Sequence, residues 1–143
     1  MNRQGAKFAK TAKVAKAEPD DVTDELARKV IGAAIEVHRH LGPGYLEGVY
    51  EEGLAIECGL RGIQYERQKT VAVDYKGCDI GQGRADFVVG GRLVVELKAV
   101  DTLLPIHTAQ VISYLKALSY ALGLLINFNV PALRAGIQRV VLS

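Results

Sequence analysis

The sequence predicts an α/β domain in which a central mixed β-sheet is flanked by helices, in the order ααβββαββ. Three observations predict it. Apolar residues recur at helical spacing between Asp20 and Leu41, and again between Leu46 and Gly59. Short runs rich in β-branched residues and bounded by glycine then extend from Gln64 to Val100. Finally, Leu122 to Phe128 is a continuous apolar run of strand length, as expected of a central strand buried on both faces.

Each element has its own justification. In the first helix Leu26, Val30, Ala33 or Ala34, Val37 and Leu41 form the apolar face, and Asp24 and Glu25 suit its positive N-terminal end. Gly42-Pro43-Gly44 stops it. The second helix is expected to bury Leu46, Val49, Gly53, Ile56 and Leu60, flanked by Tyr50 and Leu54, and to leave Glu51, Glu52 and Glu57 solvated. Val71, Val73 and Tyr75 alternate along the first strand, Lys76-Gly77 turns the chain, and a short irregular strand is expected near Cys78 to Gln82. Pro105 opens a third helix with Val111 or Ile112, Leu115 and Leu118 inward. Asn129-Val130-Pro131 breaks the apolar strand, and Ile137 to Leu142 closes the sheet.

Composition bounds the function classes. A chain of 143 residues, 49% hydrophobic and 24% charged, supports one globular domain. No apolar run approaches the ~18 residues of a membrane helix, and no signal-peptide h-region stands near the start. A cytoplasmic setting without a membrane partner is expected. Cys58 and Cys78 lack C-x-x-C spacing and read as buried free thiols. The formal net charge of +2 is uneven: Arg3, Lys7, Lys10, Lys13 and Lys16 precede any acid, and the remainder carries 13 basic and 16 acidic residues. Residues 1–18 are therefore expected to be a disordered basic tail, and residues 19–143 the folded domain.

The chemistry concentrates in Gly83 to Ala99. Two short strands meet across Gly90-Gly91, and Asp86, Glu96 and Lys98 interrupt their apolar pattern. Because a strand alternates faces, Glu96 and Lys98 point one way while Val95, Leu97 and Ala99 point into the core. Charges on an apolar strand are costly to bury unless paired or bound to an ion; a surface salt bridge is the plainer alternative. A two-residue loop at Gly90-Gly91 would set Asp86 against Val95, on the wrong face. An odd-numbered loop sets Asp86 opposite Glu96. An odd loop or a bulge is therefore expected.

Asp86 followed by Glu96-Leu97-Lys98 in strand–loop–strand context resembles the signature of the PD-(D/E)XK nuclease superfamily. Gly44-Tyr45-Leu46-Glu47-Gly48-Val49-Tyr50 matches the G-x-x-E-x-x-Y motif of the GxxExxY family, a branch of that superfamily. Gln110-Val111-Ile112-Ser113-Tyr114 resembles the Q-x-x-x-Y motif that follows the E-x-K strand in RecB-like nucleases. Order and spacing agree from about Asp24 onward.

This resemblance implies a restriction-endonuclease-like core and metal-dependent hydrolysis of a phosphodiester, in DNA. Asp86 and Glu96, with the backbone carbonyl of Leu97, would hold one or two Mg²⁺ (or Mn²⁺) ions, since hard cations prefer oxygen ligands. Lys98 would orient the attacking water or steady the transition state. Glu47 would complete the metal shell directly or through water, or else simply favour its helix N-terminus. Gln110 would position the nucleophile or Lys98, or be routine helix surface with Tyr114. Tyr50 either packs or holds Glu47 or a phosphate oxygen; Arg84 either contacts phosphate or forms a structural ion pair. A homodimer or partner protein would supply specificity. The alternative on the same fold is a non-catalytic nucleic-acid- or protein-binding module. No Walker loop, G-x-S-x-G or H-E-x-x-H motif competes.

Overall fold

The computed structural model describes residues 20–142, so the expected basic tail lies outside the described residues. Helix α1 (Asp21–Leu41) starts where the Asp20 side chain accepts a 2.8 Å hydrogen bond from the Thr23 N–H, satisfying a free helix-end donor. It ends at Gly42, in the left-handed region at φ 70°. Helix α2 (Glu47–Leu60) leads to β1 (Tyr65–Tyr75), β2 (Cys78–Val89) and β3 (Leu93–Lys98). Helix α3 (Pro105–Leu118) opens on its proline, and β4 (Leu122–Asn127) and β5 (Ile137–Val141) follow, separated by a 3₁₀ turn at Leu133–Gly136. The expected order ααβββαββ is observed.

The strands form one five-stranded sheet in the order β1-β2-β3-β4-β5. Only the β3–β4 pair is parallel, and α3 makes the crossover that a parallel pair requires. Phe87, Val89, Val95, Leu97, Leu124 and Ile126 pack on one face against α1 and α2, while Val88, Val94 and Leu125 pack on the other against Val111 and Leu115 of α3. Covered on both faces, β3 and β4 are almost wholly apolar, and β4 is the interior strand its sequence predicts. Among the described residues no helix is long and apolar enough to cross a membrane.

Three expectations need correction. The face of α2 turned inward carries Tyr50, Leu54, Ala55 and Cys58, whereas Leu46, Val49, Ile56 and Leu60 are 83%, 41%, 63% and 78% exposed. Both stripes of this helix are apolar, so spacing alone does not choose between them; the fit of Tyr50 onto the sheet does. The short strand near Cys78 to Gln82 is the distal part of one long β2, with Ile80 bulged between the pairs Asp74–Asp79 and Val73–Gly81. Cys78 lies exposed near its tip, and Cys58 alone is a buried thiol.

Tyr50 resolves as a packing residue. Its ring is fully buried and stacks on Phe128 at 4.5 Å between centroids. Its hydroxyl donates to the Gly42 carbonyl at 2.6 Å and accepts from the Tyr45 N–H at 3.2 Å, tying the α1–α2 turn to the core. These bonds occupy the hydroxyl, so it holds neither Glu47 nor a phosphate. Tyr50→Phe should lower the unfolding free energy by about 1–2 kcal/mol in urea denaturation. Any activity per folded molecule should be unchanged; selective loss of activity without loss of stability would return Tyr50 to the site.

Candidate active site

The site begins with the β2–β3 turn. Val89 pairs with Leu93, Val88 with Val94 and Phe87 with Val95, which leaves a three-residue loop, Gly90-Gly91-Arg92. Both glycines sit in the left-handed region, at φ 60° and 67°, where other residues are strained. The odd loop expected from the sequence is present, and the register it sets places Asp86 opposite Glu96. The backbone ladder stops at Phe87–Val95, and side chains take over. The Asp86 N–H donates to Glu96 Oε2 at 2.6 Å, and the Leu97 N–H donates to Asp86 Oδ2 at 2.8 Å.

Asp86 also marks a change of phase along β2. Gly83 and Ala85 face α3: a Cβ on Gly83 would stand 2.9 Å from the Tyr114 ring, and Ala85 belongs to the α3-side cluster. Phe87 and Val89 share their parity but pack toward α1 and α2. The alternation therefore breaks at Asp86, opposite Gln68, whose φ is 50°. This break lets one strand serve both sides of the sheet, so that groups from α2 and α3 gather at the same splayed edge.

Electrostatics single out Glu96. It is 3% exposed, forms no ion pair among the described residues, and its Oε1 has no hydrogen-bond partner among them. A surface salt bridge with Lys98 is therefore not what holds it. Burial pushes its carboxyl up to about 8, and the neighbouring charge of Asp86 adds to this; the Asp86 N–H and Lys98 pull the other way. Burial likewise raises the Asp86 carboxyl, opposed by the Leu97 N–H, Gln68 and Lys98. Glu47, in the first turn of α2, is raised by burial and then by the charge of Asp86, against Lys98. Glu47, Asp86, Glu96 and Lys98 thus act on one another through their charges. Even so, among the described residues no three His, Cys, Asp or Glu side chains converge closely enough to hold a metal ion by themselves.

The remaining candidates separate. Tyr114 is buried beside the site, its hydroxyl raised by burial and then by the charge of Glu96. Gln110 is exposed and its amide donates to the Tyr114 hydroxyl at 3.3 Å, making no hydrogen bond to Lys98 or to the carboxylates. Arg84 is exposed and makes no ion pair among the described residues, so the structural ion pair is not formed. Tyr50 lies in the core, as described.

Sequence reasoning missed Glu51, Gln68 and Asn127. Glu51 is 14% exposed in its side chain, and Arg67 and Gln68 hold it, whereas a solvated residue was expected. Buried Asn127 accepts from the Val100 N–H at 3.0 Å and donates to the Val100 carbonyl at 2.8 Å, pinning the chain just beyond Lys98. An amide inside the run LGLLINF was the available signal for Asn127. The other two carry none, because they act across the fold.

The model of the PD-(D/E)XK nuclease superfamily matches residues 24–140, and the chain belongs to that superfamily. A solved structure described as "Crystal structure of SSO0001" is similar, with a TM-score of 0.49 and 22% identity over 66% of this chain. This chain spans 49% of that one. No curated protein matches it.

The carboxyl shifts carry a sign. An acid whose folded pKa is raised from 4.5 to about 8 binds its proton more tightly in the native state. The contribution of Glu96 to native stability is then full below 4.5 and falls as pH rises toward 8. Metal-free protein should lose roughly a few kcal/mol across this window. Glu96→Gln should flatten the dependence and be the more stable protein at pH 8; parallel stability–pH curves for the two would contradict this placement of Glu96.

Proposed function

We propose that the chain is a metal-dependent nuclease of the GxxExxY branch, hydrolysing phosphodiester bonds in DNA at the edge between β2 and β3. The observation that carries this reading is Glu96: a buried carboxyl group that, among the described residues, has no counter-ion and one oxygen unbonded, beside Asp86 and within the field of Lys98. Members of the superfamily generally use divalent metals, and the donors here are all oxygen. Asp86, Glu96 and the Leu97 carbonyl would hold Mg²⁺ or Mn²⁺, with Glu47 reaching it through water. When bound, such a cation neutralises charge on the phosphate and acidifies water.

The chain's own residues supply the rest. Glu96 gives up the proton that burial makes it retain, and the Leu97 and Asp86 N–H groups keep the Asp86 and Glu96 carboxylates in place. Lys98 faces the same side of β3 as Glu96, where its ammonium orients the attacking water or donates to the phosphoryl oxygen as charge develops. Glu47 accepts a hydrogen bond from that water. Tyr114 closes the α3 side, with Gln110 holding its hydroxyl.

The test is cleavage of supercoiled plasmid and labelled single-stranded DNA with Mg²⁺ or Mn²⁺. Metal-dependent cutting is expected, and Glu96→Ala and Lys98→Ala should each reduce it by at least about 10²-fold. Folded wild-type protein that neither binds Mn²⁺ nor cuts would instead support a binding module.

A further inference from the structure

Asp86 is held from two sides. Its Oδ2 accepts from the Leu97 N–H at 2.8 Å, and its Oδ1 accepts from Gln68 Nε2 at 3.3 Å. The same nitrogen donates to Glu51 at 3.1 and 3.2 Å. Both neighbours are carboxylates, which only accept when ionised, so the amide nitrogen and not its oxygen must face them. Glu51 is itself fixed by Arg67, whose guanidinium reaches Glu51 Oε2 at 3.0 Å and Glu52 Oε2 at 2.8 Å. A chain of polar contacts thus runs from α2 through β1 to the acid at the break in β2.

The backbone supports the same reading. Gln68 sits at φ 50°, in the left-handed region that glycine or asparagine would occupy more readily. Opposite it, Asp86 is the residue at which β2 changes phase. A side chain kept at a strained position, with its amide between two carboxylates, points to a task that glycine would not perform.

We propose that Gln68 is a positioning residue: its carboxamide, anchored on Glu51 and through it on Arg67, holds the Asp86 carboxylate in the orientation that serves the site. This rests on the reading of Asp86 as a metal ligand given above. The amide also spaces Glu51 from Asp86, so that two acids share one neutral donor. Because Glu51 and Glu47 lie on the same helix, the contact sets the placement of α2 against the β2–β3 edge.

Gln68→Gly suits the backbone conformation and removes only the amide. Amide exchange at Leu97 should accelerate at least tenfold, while the β4 amides keep their protection. Affinity for Mn²⁺, measured by calorimetry, should weaken about tenfold, and DNA cleavage should fall by a similar factor. Glu51→Gln, which loosens the anchor on Arg67, should shift Leu97 exchange in the same direction by less. This second variant carries the test if the glycine variant folds poorly. Unchanged Leu97 exchange and Mn²⁺ affinity in the variants would overturn the proposal. If the wild-type protein cuts no DNA yet Leu97 exchange still rises, the positioning role stands and the nuclease reading falls.

Discussion

Where β2 and β3 part beyond Phe87 and Val95, two backbone N–H groups lose the partners a continuing ladder would give them. Leaving a buried donor unpaired costs roughly 1–3 kcal/mol. Asp86 and Glu96 meet that cost by accepting from each other's strand, the one from the Leu97 N–H and the other through the Asp86 N–H. The exchange is reciprocal, so neither carboxylate can turn outward without leaving an orphan behind. It also puts two acids in a poorly solvated place, where burial raises both, the charge of Glu51 adding to it at Asp86 and that of Asp86 at Glu96. The backbone's need for acceptors thus gathers two carboxylates at the edge where the proposed cation would bind.

The rest of the molecule holds that arrangement still. The three-residue turn fixes the register, and Gly90 fits closely under Leu26 of α1, whose Cδ1 would stand 2.7 Å from an added Cβ. Tyr50, stacked on Phe128 and bonded to the α1–α2 turn, fixes the start of α2 and with it Glu47. The parallel pairing of β3 with β4 sets Lys98 beside Asn127, whose amide clasps Val100. Gly83 admits the Tyr114 ring against β2 from the other face. Each contact is ordinary packing or hydrogen bonding; together they gather polar groups from two helices and two strands at one edge.

The element order and the hairpin register were legible in the sequence because both are governed by local rules. Glycine bounds the strands, proline opens α3, and the period of two in a strand forces an odd loop once Asp86 is required to face Glu96. The inward face of α2 was not legible. Val49 and Ile56 on one stripe match Tyr50 and Leu54 on the next in hydrophobicity, and only the stacking of Tyr50 on Phe128, distant in sequence, decides between them. Glu51 reads as a solvated residue, and Gln68 gives no signal, for the same reason. Their significance lies in contacts across 17 and 18 residues of chain, and in a positive φ that glutamine does not advertise. Arg84 shows the converse: a cation next to a motif, and yet exposed and unpaired among the described residues.

The proposed task of the buried Asp86–Glu96 pair is to take a divalent cation. Calorimetric titration of Mn²⁺ into metal-free protein at pH 7, repeated in buffers of different ionisation enthalpy, tests it most directly. Glu96, with its carboxyl raised to about 8, is mostly protonated there. Binding should therefore release about one proton, and the measured heat should change with the buffer. Glu96→Gln should abolish that release. A protein that takes up no Mn²⁺, or takes it up with a heat independent of the buffer, would contradict that role.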